Sequence, residues 1–432
     1  MTRKTELQPA GPREIWAWCL YDFANSSFTT LIVTVAYSVY FVQVVAGGLS
    51  GEGAAERAWF WGYSASMLVA AVLAPLLGAV ADVRAIKRTF LISSSLICVL
   101  FTALLTFVGA GDIWKGLLFF GIANVAFDLG FQFCSAFLVE ISTPENIGRI
   151  SGYGWGLGYV GGLLSLALAY PLIHNGFAQG NLPLYRMSFA VTAAFFLIAA
   201  LPTFFLLRER ALPQTNPGNV SLWVQTVKRL GETGREVPRY RDLFVYLIAY
   251  LVYTDAINTV IVASAIFANK VLDFSPGDLI IYFLITQITA GLGAAGFGVL
   301  ADRIGAKRTI SVTLVLWIVI VGLAAIVQTH AQFYAIGLAA GAALGSNQSA
   351  SRTLLGRFTP VGREAQFFGF FTVTGKVAAV VGPLVYAEVT AWTGSQRWAV
   401  AAMAVFFAVG LVGVQFINER RGIEAATTSD EL

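Results

Sequence analysis

Acidic and amide side chains occur at matching positions in two long apolar stretches of this sequence, where a carboxylate could hold a proton or pair with a cation. Asp22 and Asn25 lie in the first stretch and Asp255 and Asn258 in the seventh, so the pair recurs after 233 residues. Asp255 lies about twelve residues, or about 18 Å of helix, into its stretch, so helix capping does not explain it. We expect it to face a cavity or a partner, because exposing a charge to lipid costs several kcal/mol. Asp22 either caps a helix that begins at Phe23 or lines an inward cavity.

A polar stripe and a lysine add further groups to these two pairs. Asn124, Asp128 and Gln132 follow one another at four-residue spacing in the fourth stretch, on one face of a helix. One interpretation is hydrogen bonding between helices, worth about 0.6 to 1.7 kcal/mol per contact; we favour cavity lining, because a carboxylate in mid-span exceeds what such packing needs. Lys376 lies about ten residues into the eleventh stretch, where pairing with an intramembrane carboxylate is favoured over extension towards the membrane surface. The predicted substrate or coupling-ion cavity comprises Asp22, Asn25, Asn124, Asp128, Gln132, Asp255, Asn258, Gln287, Asn347, Gln348 and Lys376.

Two copies of one short segment, residues 78–88 and 298–308, lie 220 residues apart. Each combines a Gly, an Asp and a Lys-Arg pair between two apolar stretches, and each resembles the loop between the second and third helices of a half of a major facilitator transporter. The resemblance implies a cytoplasmic latch between two halves, where helix dipoles and ion pairs favour one conformation. Val83 and Ala85 replace the Arg and Gly of the pattern, so the first latch is expected to be weaker or replaced. The predicted gating-loop residues are Gly78, Asp82, Lys87, Arg88, Gly298, Asp302, Arg303, Gly305, Lys307 and Arg308.

A glycine-rich segment opens the fifth apolar stretch. Gly156, Gly158 and Gly161 match a dinucleotide-binding fingerprint, but that motif needs a preceding strand and a βαβ unit, and the sequence has neither. Small residues four apart instead let two helices approach closely. We therefore predict a packing face formed by Gly152, Gly154, Gly156, Gly158 and Gly162.

The elements that would position these residues are membrane helices. Hydrophobic residues make up 57% of the chain and charged residues 12%, against about 25% charged in soluble domains. Twelve apolar runs are long enough to cross the bilayer as helices. They are 15–46, 58–81, 89–110, 113–140, 150–171, 185–207, 242–268, 278–301, 309–328, 331–354, 366–390 and 395–416.

The repeats divide the twelve spans into two pseudo-symmetric six-helix halves, the organisation of the major facilitator fold. Residues 143–149 and 359–364 form a third internal correspondence, both beginning with Thr-Pro. The predicted units are an N-terminal lead (1–14), a first half (15–207), a linker (208–241), a second half (242–416) and a tail (417–432). Residues 220–230 of the linker have the spacing of an amphipathic helix on the membrane surface, with a regulatory partner site as the alternative. The tail after Glu419 is expected to be disordered.

Charge placement predicts the orientation of the chain. With both termini cytoplasmic, 22 of the 28 Lys and Arg residues fall on the inward side, and Lys376 is the one basic residue assigned to a span. The net charge of +4 then indicates contact with anionic lipid and not with nucleic acid. We expect an integral protein of the cell (inner) membrane.

Three segments resemble the vacuole-effluxer branch of the major facilitator superfamily, whose bacterial members are often called UMF, for unknown major facilitator. They are YDFANS (21–26), EISTPENIGRISG (140–152) and GWGLGY (154–159), and Ser351-Arg352 at the end of the tenth span adds to them. The resemblance implies twelve helices that alternate access to a central site, and fungal relatives imply export of amino acids from the vacuole. The fifth span lacks the Pro of the antiporter signature, so obligatory exchange is not supported.

The function predicted from these features is secondary transport of a small polar or zwitterionic solute, with amino acids favoured and protons as the coupling ion suggested by the carboxylates. Alternatives are an exporter of drugs or other metabolites and a transporter-like sensor that binds a solute without moving it. A membrane enzyme ranks last, because the sequence shows no metal cluster, no nucleophile–His pair and no cofactor loop. The expected partners are a small-molecule substrate and the lipid bilayer, with no cofactor or metal, and the expected state is a monomer.

Overall fold

The computed structural model describes residues 10–51, 53–178, 180–213, 236, 238–378 and 381–427, and all regular secondary structure among them is helical. The helices are α1 (Pro12–Val45), α2 (Ala54–Arg84), α3 (Lys87–Phe107), α4 (Ile113–Ile141), α5 (Ile147–Ile173), α6 (Leu182–Leu206), α7 (Arg241–Leu272), α8 (Pro276–Ile304), α9 (Ala306–Ile326), α10 (His330–Phe358), α11 (Glu364–Thr393), α12 (Gln396–Gln415) and α13 (Glu419–Thr427). Each of the twelve predicted spans coincides with one of α1–α12, which confirms the predicted fold class.

Eleven helices in the described part of the chain are long and apolar enough to cross a membrane. The remaining span, α10, has 29 residues but is less apolar, with glycine, serine, asparagine and arginine among its buried positions. Polar side chains can be tolerated in such a helix because they face protein and not lipid.

The two halves, α1–α6 and α7–α12, meet along two equivalent seams. Helix α2 packs against α11, and α5 packs against α8. Within the first half, α1 packs on α5 and α6; within the second half, α7 packs on α11 and α12. Each helix therefore has the neighbours of the helix six places along the chain, as a pseudo-twofold relation requires.

Glycines allow the close approach of helices at both seams. A Cβ on Gly298 would lie 2.6 Å from the Gly148 carbonyl oxygen across the α5–α8 seam. The pseudo-equivalent Gly78 would clash with the Ala365 carbonyl oxygen across the α2–α11 seam. No Cβ is tolerated at such distances, so both seams depend on a missing side chain at the same place in the repeat.

We call the end of the bundle that holds Pro12 and α13 the terminal face, and the other end the opposite face. The tail prediction is wrong for α13, which is helical. It is held against the second half because the Glu419 carboxylate accepts the N–H groups of Ala306 and Lys307 and pairs with Arg357. The predicted linker helix at 220–230 lies outside the described residues.

Candidate functional site

An ion pair joins the two halves near the middle of the bundle. Lys376 Nζ lies 2.7 Å from Asp128 Oδ1, and the pair connects α11 to α4. Lys376 is twelve residues into α11, or about 18 Å from the terminal face. The side chain of Lys376 is 25% exposed, and Asp128 Oδ2 has no partner among the described residues. This pair therefore leaves one buried acceptor without a partner and part of its cation exposed.

A second ion pair between the halves lies closer to the terminal face and is buried. Arg352 of α10 donates to Asp22 Oδ2 of α1 at 2.8 Å and to the backbone carbonyl of Ser151 of α5 at 2.8 Å. Its guanidinium lies between the rings of Trp18 and Trp155, at 4.9 and 5.3 Å. The alternative in which Asp22 caps a helix starting one residue later is wrong, because α1 begins at Pro12.

Asp255 and Asn258 hold an interruption in α11, which is described as two helical segments, Glu364–Val377 and Val381–Thr393. Asp255 Oδ2 accepts the N–H of Gly382 at 2.8 Å, and Asn258 donates to the Ala378 carbonyl. The Asp255 carboxylate thus caps the start of the second segment, and the Asn258 amide caps the end of the first. The inference that capping cannot explain Asp255 is corrected: it caps a neighbouring helix and not its own.

Three predicted cavity residues serve contacts between helices. Asn124 donates to Ser66 of α2, and Asn347 donates to Thr313 of α9, so both bonds stay inside one half. Gln132 donates to the backbone carbonyls of Ala74 and Ala365 and so bridges the α2–α11 seam. For these residues the packing interpretation replaces cavity lining, because their donors end on buried neighbours.

The remaining predicted cavity residues have different surroundings. Asn25 is 5% exposed, and its Nδ2 has no partner among the described residues. Gln348 accepts the Tyr159 hydroxyl across the α5–α8 seam. Gln287 lines a 320 Å³ groove with apolar residues that include the exposed Ile288, and no other predicted cavity residue borders this groove. The place of Gln287 in a cavity shared with the charged residues therefore stays a prediction.

The repeated segments form two equivalent latches at the terminal face. Asp82 at the end of α2 accepts the N–H groups of the second and third residues of α11, at 3.0 and 2.9 Å. Asp302 at the end of α8 accepts those of the second and third residues of α5, Gly148 and Arg149, at 2.7 and 2.8 Å. A carboxylate at a helix N-terminus is stabilised by the unpaired N–H groups and by the helix dipole. Each half therefore caps a helix of the other.

The first latch is reinforced, so its predicted weakness is not seen. Lys87 is fully buried and pairs with Glu364 of the second half at 2.8 Å and with Glu140 of the first. Beside it, Glu209 accepts the Arg88 N–H, and burial raises the pKa of Glu209 to about 7. Ala85 adopts the left-handed conformation, with a φ of 54°, where Gly305 has 92°.

The gating residues divide between helices and roles. Gly78 and Asp82 belong to α2, and Gly298, Asp302 and Arg303 to α8, so the predicted loops are short breaks between helices. Arg88 donates to the Phe204 carbonyl, and Lys307 donates to the carbonyls of Gln415 and Ile417. These hydrogen bonds connect helices of the same half and do not cross between the halves. Arg303 is exposed and forms no hydrogen bond or ion pair with the described residues, so its assignment to the latch was wrong.

The glycine face of α5 separates two neighbouring helices. Gly152 and Gly156 lie against α8, with Ala294 and Gly291 as their nearest contacts. The other predicted glycines lie against α1, where a Cβ would meet atoms of that helix or of Asp22; these are Gly154, Gly158 and Gly162. Helix α5 therefore lies between α1 of its own half and α8 of the other.

The site contains charged residues that sequence reasoning missed. Arg352, 1% exposed, was counted with the inward charges although it falls inside the predicted span 331–354, and that position was the available signal. Glu140 and Glu364 meet Lys87, and Arg357 lies 3.7 Å from Asp302 and 2.8 Å from Glu419. Nothing in the sequence pairs residues so far apart in the chain.

All these features define a membrane transporter of the major facilitator type. The human organic anion transporter MFSD10 has a similar fold, with a TM-score of 0.71, 14% identity, and coverage of 94% of this chain and 100% of that chain. The proton:xylose symporter XylE has a TM-score of 0.72, 15% identity, and coverage of 95% and 96%. Identities this low show the fold alone.

The chain belongs to the family described as "Vacuole effluxer Atg22 like", whose sequence model matches residues 59–427. The uncharacterized MFS-type transporter YxiO of Bacillus subtilis (strain 168) is 28% identical over 423 residues, covering 96% of this chain and 97% of that protein. Autophagy-related protein 22 of Yarrowia lipolytica is 25% identical over 340 residues, 70% of this chain. The match spans 56% of that fungal protein. The family description and the name of the bacterial relative both indicate a transporter and not an enzyme.

Proposed function

We propose that the protein moves a small zwitterionic solute, with amino acids as the favoured class, between the two halves by alternating access. The observation that carries this proposal is the Asp128–Lys376 pair, which bridges the halves at about mid-membrane depth. A zwitterion can replace both partners at once: its ammonium group pairs with the aspartate and its carboxylate with the lysine. A neutral solute that separated the pair would leave both charges uncompensated, and breaking a buried pair costs about 3 to 5 kcal/mol when one partner is lost.

The distribution of contacts between the halves supports alternating access. In the described part of the chain, hydrogen bonds and ion pairs between the halves run from the two latches to the depth of Lys376 and Tyr159. Towards the opposite face, the described residues form none. The terminal face is thus closed, and the opposite step of a transport cycle must release both latches and the Asp22–Arg352 pair.

Proton coupling is part of the proposal, with Asp22 as the carrier. Protonating Asp22 removes the charge that faces Arg352 and so weakens a contact that the closed terminal face requires. Asp22 Oδ1 has no partner among the described residues, which leaves an oxygen able to take a proton. A proton and a solute would then favour the same change of conformation.

The placement of the chain completes the proposal. The terminal face carries the basic residues predicted to be cytoplasmic, so we assign both termini to the cytoplasm and the protein to the cell membrane. The rigid units are the halves 15–207 and 242–416, acting in one monomer. Export is the proposed direction.

Counterflow in proteoliposomes tests the proposal. Liposomes preloaded with single amino acids, sugars or organic anions are diluted into labelled solute, with and without an imposed pH gradient. We expect accumulation of amino acids by the wild type, loss of it in Lys376→Met, and retention in Lys115→Met, whose exposed pair with Asp112 lies outside the seam. Undiminished counterflow by Lys376→Met, or flux of neutral sugars alone, contradicts the zwitterion site. Solute flux that does not respond to the pH gradient contradicts proton coupling.

A further inference from the structure

A basic cavity lies at the terminal face of the second half, away from the seam between the halves. It has a volume of about 660 Å³ and is formed by the ends of α7, α8, α9 and α12 and by the start of α13. Four of its lining residues are cationic: Arg241, Lys307, Arg308 and Arg421. Cations from separate helices converge on one concave space at the end of the bundle, which is the arrangement that an anion requires.

The nearby carboxylates are already engaged and leave the cavity with a surplus of positive charge. Glu419 accepts the Ala306 and Lys307 N–H groups and pairs with Arg357, which does not line the cavity. Asp242 pairs with Arg421 at 2.6 Å and accepts the Asn418 N–H. Each of these two carboxylates is therefore paired with an arginine, and three lining cations form no ion pair with the described residues.

Two of these three cations are available to a ligand. Arg241 and Arg308 are exposed and form no hydrogen bond or ion pair with the described residues. The third, Lys307, donates to two backbone carbonyls at the end of α12, which leaves one of its three N–H donors. Guanidinium groups bind phosphate oxygens in a bidentate geometry, so a phosphate is the anion that this set fits best.

An apolar residue in the same cavity favours a lipid over a free phosphate as the ligand. Phe416 lines the cavity and is 71% exposed, and it follows directly on the last residue of the membrane helix α12. An aromatic ring at this depth lies where the glycerol and upper acyl chain of a phospholipid meet its headgroup. Inorganic phosphate gains nothing from such a contact, whereas an amphiphile does.

We propose that this cavity binds the phosphate headgroup of an anionic phospholipid from the leaflet at the terminal face, with Arg241 and Arg308 as the principal contacts and Phe416 beneath the glycerol. The bound lipid would join α7, α9 and α12 at one end of the second half. The binding site is separate from the proposed solute site, so each can fail without the other.

The test measures lipid binding by the purified full-length protein. Native mass spectrometry and thermal shift are recorded with phosphatidylglycerol, phosphatidylcholine and inorganic phosphate as probes. We expect selective adducts and a higher melting temperature with phosphatidylglycerol. At about 1 kcal/mol for each basic residue near an anionic surface, Arg241→Gln combined with Arg308→Gln should weaken binding about 30-fold.

Arg303→Gln is the matched control, because Arg303 is an exposed arginine at the same face that does not line the cavity. It should bind phosphatidylglycerol as the wild type does. Equal binding of phosphatidylcholine, stabilisation by inorganic phosphate alone, or equal losses in the control and the double variant would each overturn the proposal. Should the double variant not fold, Arg308→Lys against Arg308→Gln serves instead, with binding expected to persist in the lysine variant and fall in the glutamine variant.

Discussion

Replacing Asp302 by asparagine should open the terminal face. The Asp302 carboxylate accepts the N–H groups of Gly148 and Arg149 at the start of α5, so it ties the end of α8 to the other half. Asparagine keeps the shape of the side chain and one acceptor, but it loses the negative charge and turns an N–H₂ donor towards a second N–H. The substitution therefore weakens the closed conformation without creating a cavity.

The size of the effect follows from the two hydrogen bonds. A hydrogen bond to a charged group contributes about 1.5 to 3 kcal/mol, and the helix dipole adds to it. The Asp302 side chain is 10% exposed, so solvent screens these bonds little. With one neutral acceptor retained, we expect a loss of about 2 to 3 kcal/mol, which raises the ratio of open to closed molecules about 30- to 150-fold.

Spin-label distances across the terminal face measure this ratio. Cysteines introduced at Arg84 and Arg308 place one label on each half, at exposed positions. The native cysteines, Cys19, Cys98 and Cys134, are buried and do not compete for the label. The expected result is a second, longer distance that dominates in Asp302→Asn and is minor in the wild type.

Asp242→Asn is the control for this experiment. Asp242 also accepts a backbone N–H and pairs with an arginine at the terminal face, but its partners, Asn418 and Arg421, lie in the C-terminal tail and not in the first half. It should lower the melting temperature and leave the distances unchanged. An unaltered distance distribution in Asp302→Asn, or the same long distance in Asp242→Asn, would refute the assignment of Asp302 as a latch between the halves.

Three further predictions concern the helix seams, the break between α2 and α3, and pH. Gly298→Leu should separate α8 from α5, because a Cβ at this position would lie 2.6 Å from a backbone oxygen, and it should increase the labelling of cysteines introduced at the terminal face. Gly296→Leu is the control: a Cβ there has nothing within 4 Å, so this variant should behave as the wild type. Ala85→Gly should raise the melting temperature and Ala85→Val lower it, since the φ of 54° costs a non-glycine residue about 1 to 2 kcal/mol. The pKa of Glu209 is raised to about 7, so the folded protein holds this proton more tightly than the unfolded chain does. The free energy of unfolding should therefore fall as pH rises from about 5 to 8. In melting curves, Glu209→Gln should reduce this dependence on pH.

The latches show which contacts a repeated motif could predict and which it could not. The recurrence of Gly78 and Asp82 as Gly298 and Asp302 predicted contacts between helix ends of two halves, and both aspartates do cap helices of the opposite half. The motif did not reveal that Lys87, in place of the missing arginine, binds Glu364. That partner lies 277 residues away and carries no spacing signal.

The charged residues within the spans show the limit more clearly. Their depth indicated that Asp128, Asp255 and Lys376 face protein, since lipid does not solvate a charge. Depth says nothing about the partner: Asp128 meets Lys376, while Asp255 caps a break in α11 that hydropathy does not show. Arg352 was missed because residue counting treated it as part of a loop.

Hydropathy predicted the number of spans and charge placement predicted the orientation, because each depends on a residue's local transfer free energy between water and lipid. The repeated segments predicted the division into halves. Which carboxylate meets which cation was decided only by the folded bundle. Such a contact forms when helix packing brings residues within about 3 Å of each other, and for Asp22 and Arg352 they are 330 positions apart in the chain. Tertiary packing therefore assigned each of these buried charges to an ion pair between the halves, a latch or a helix end.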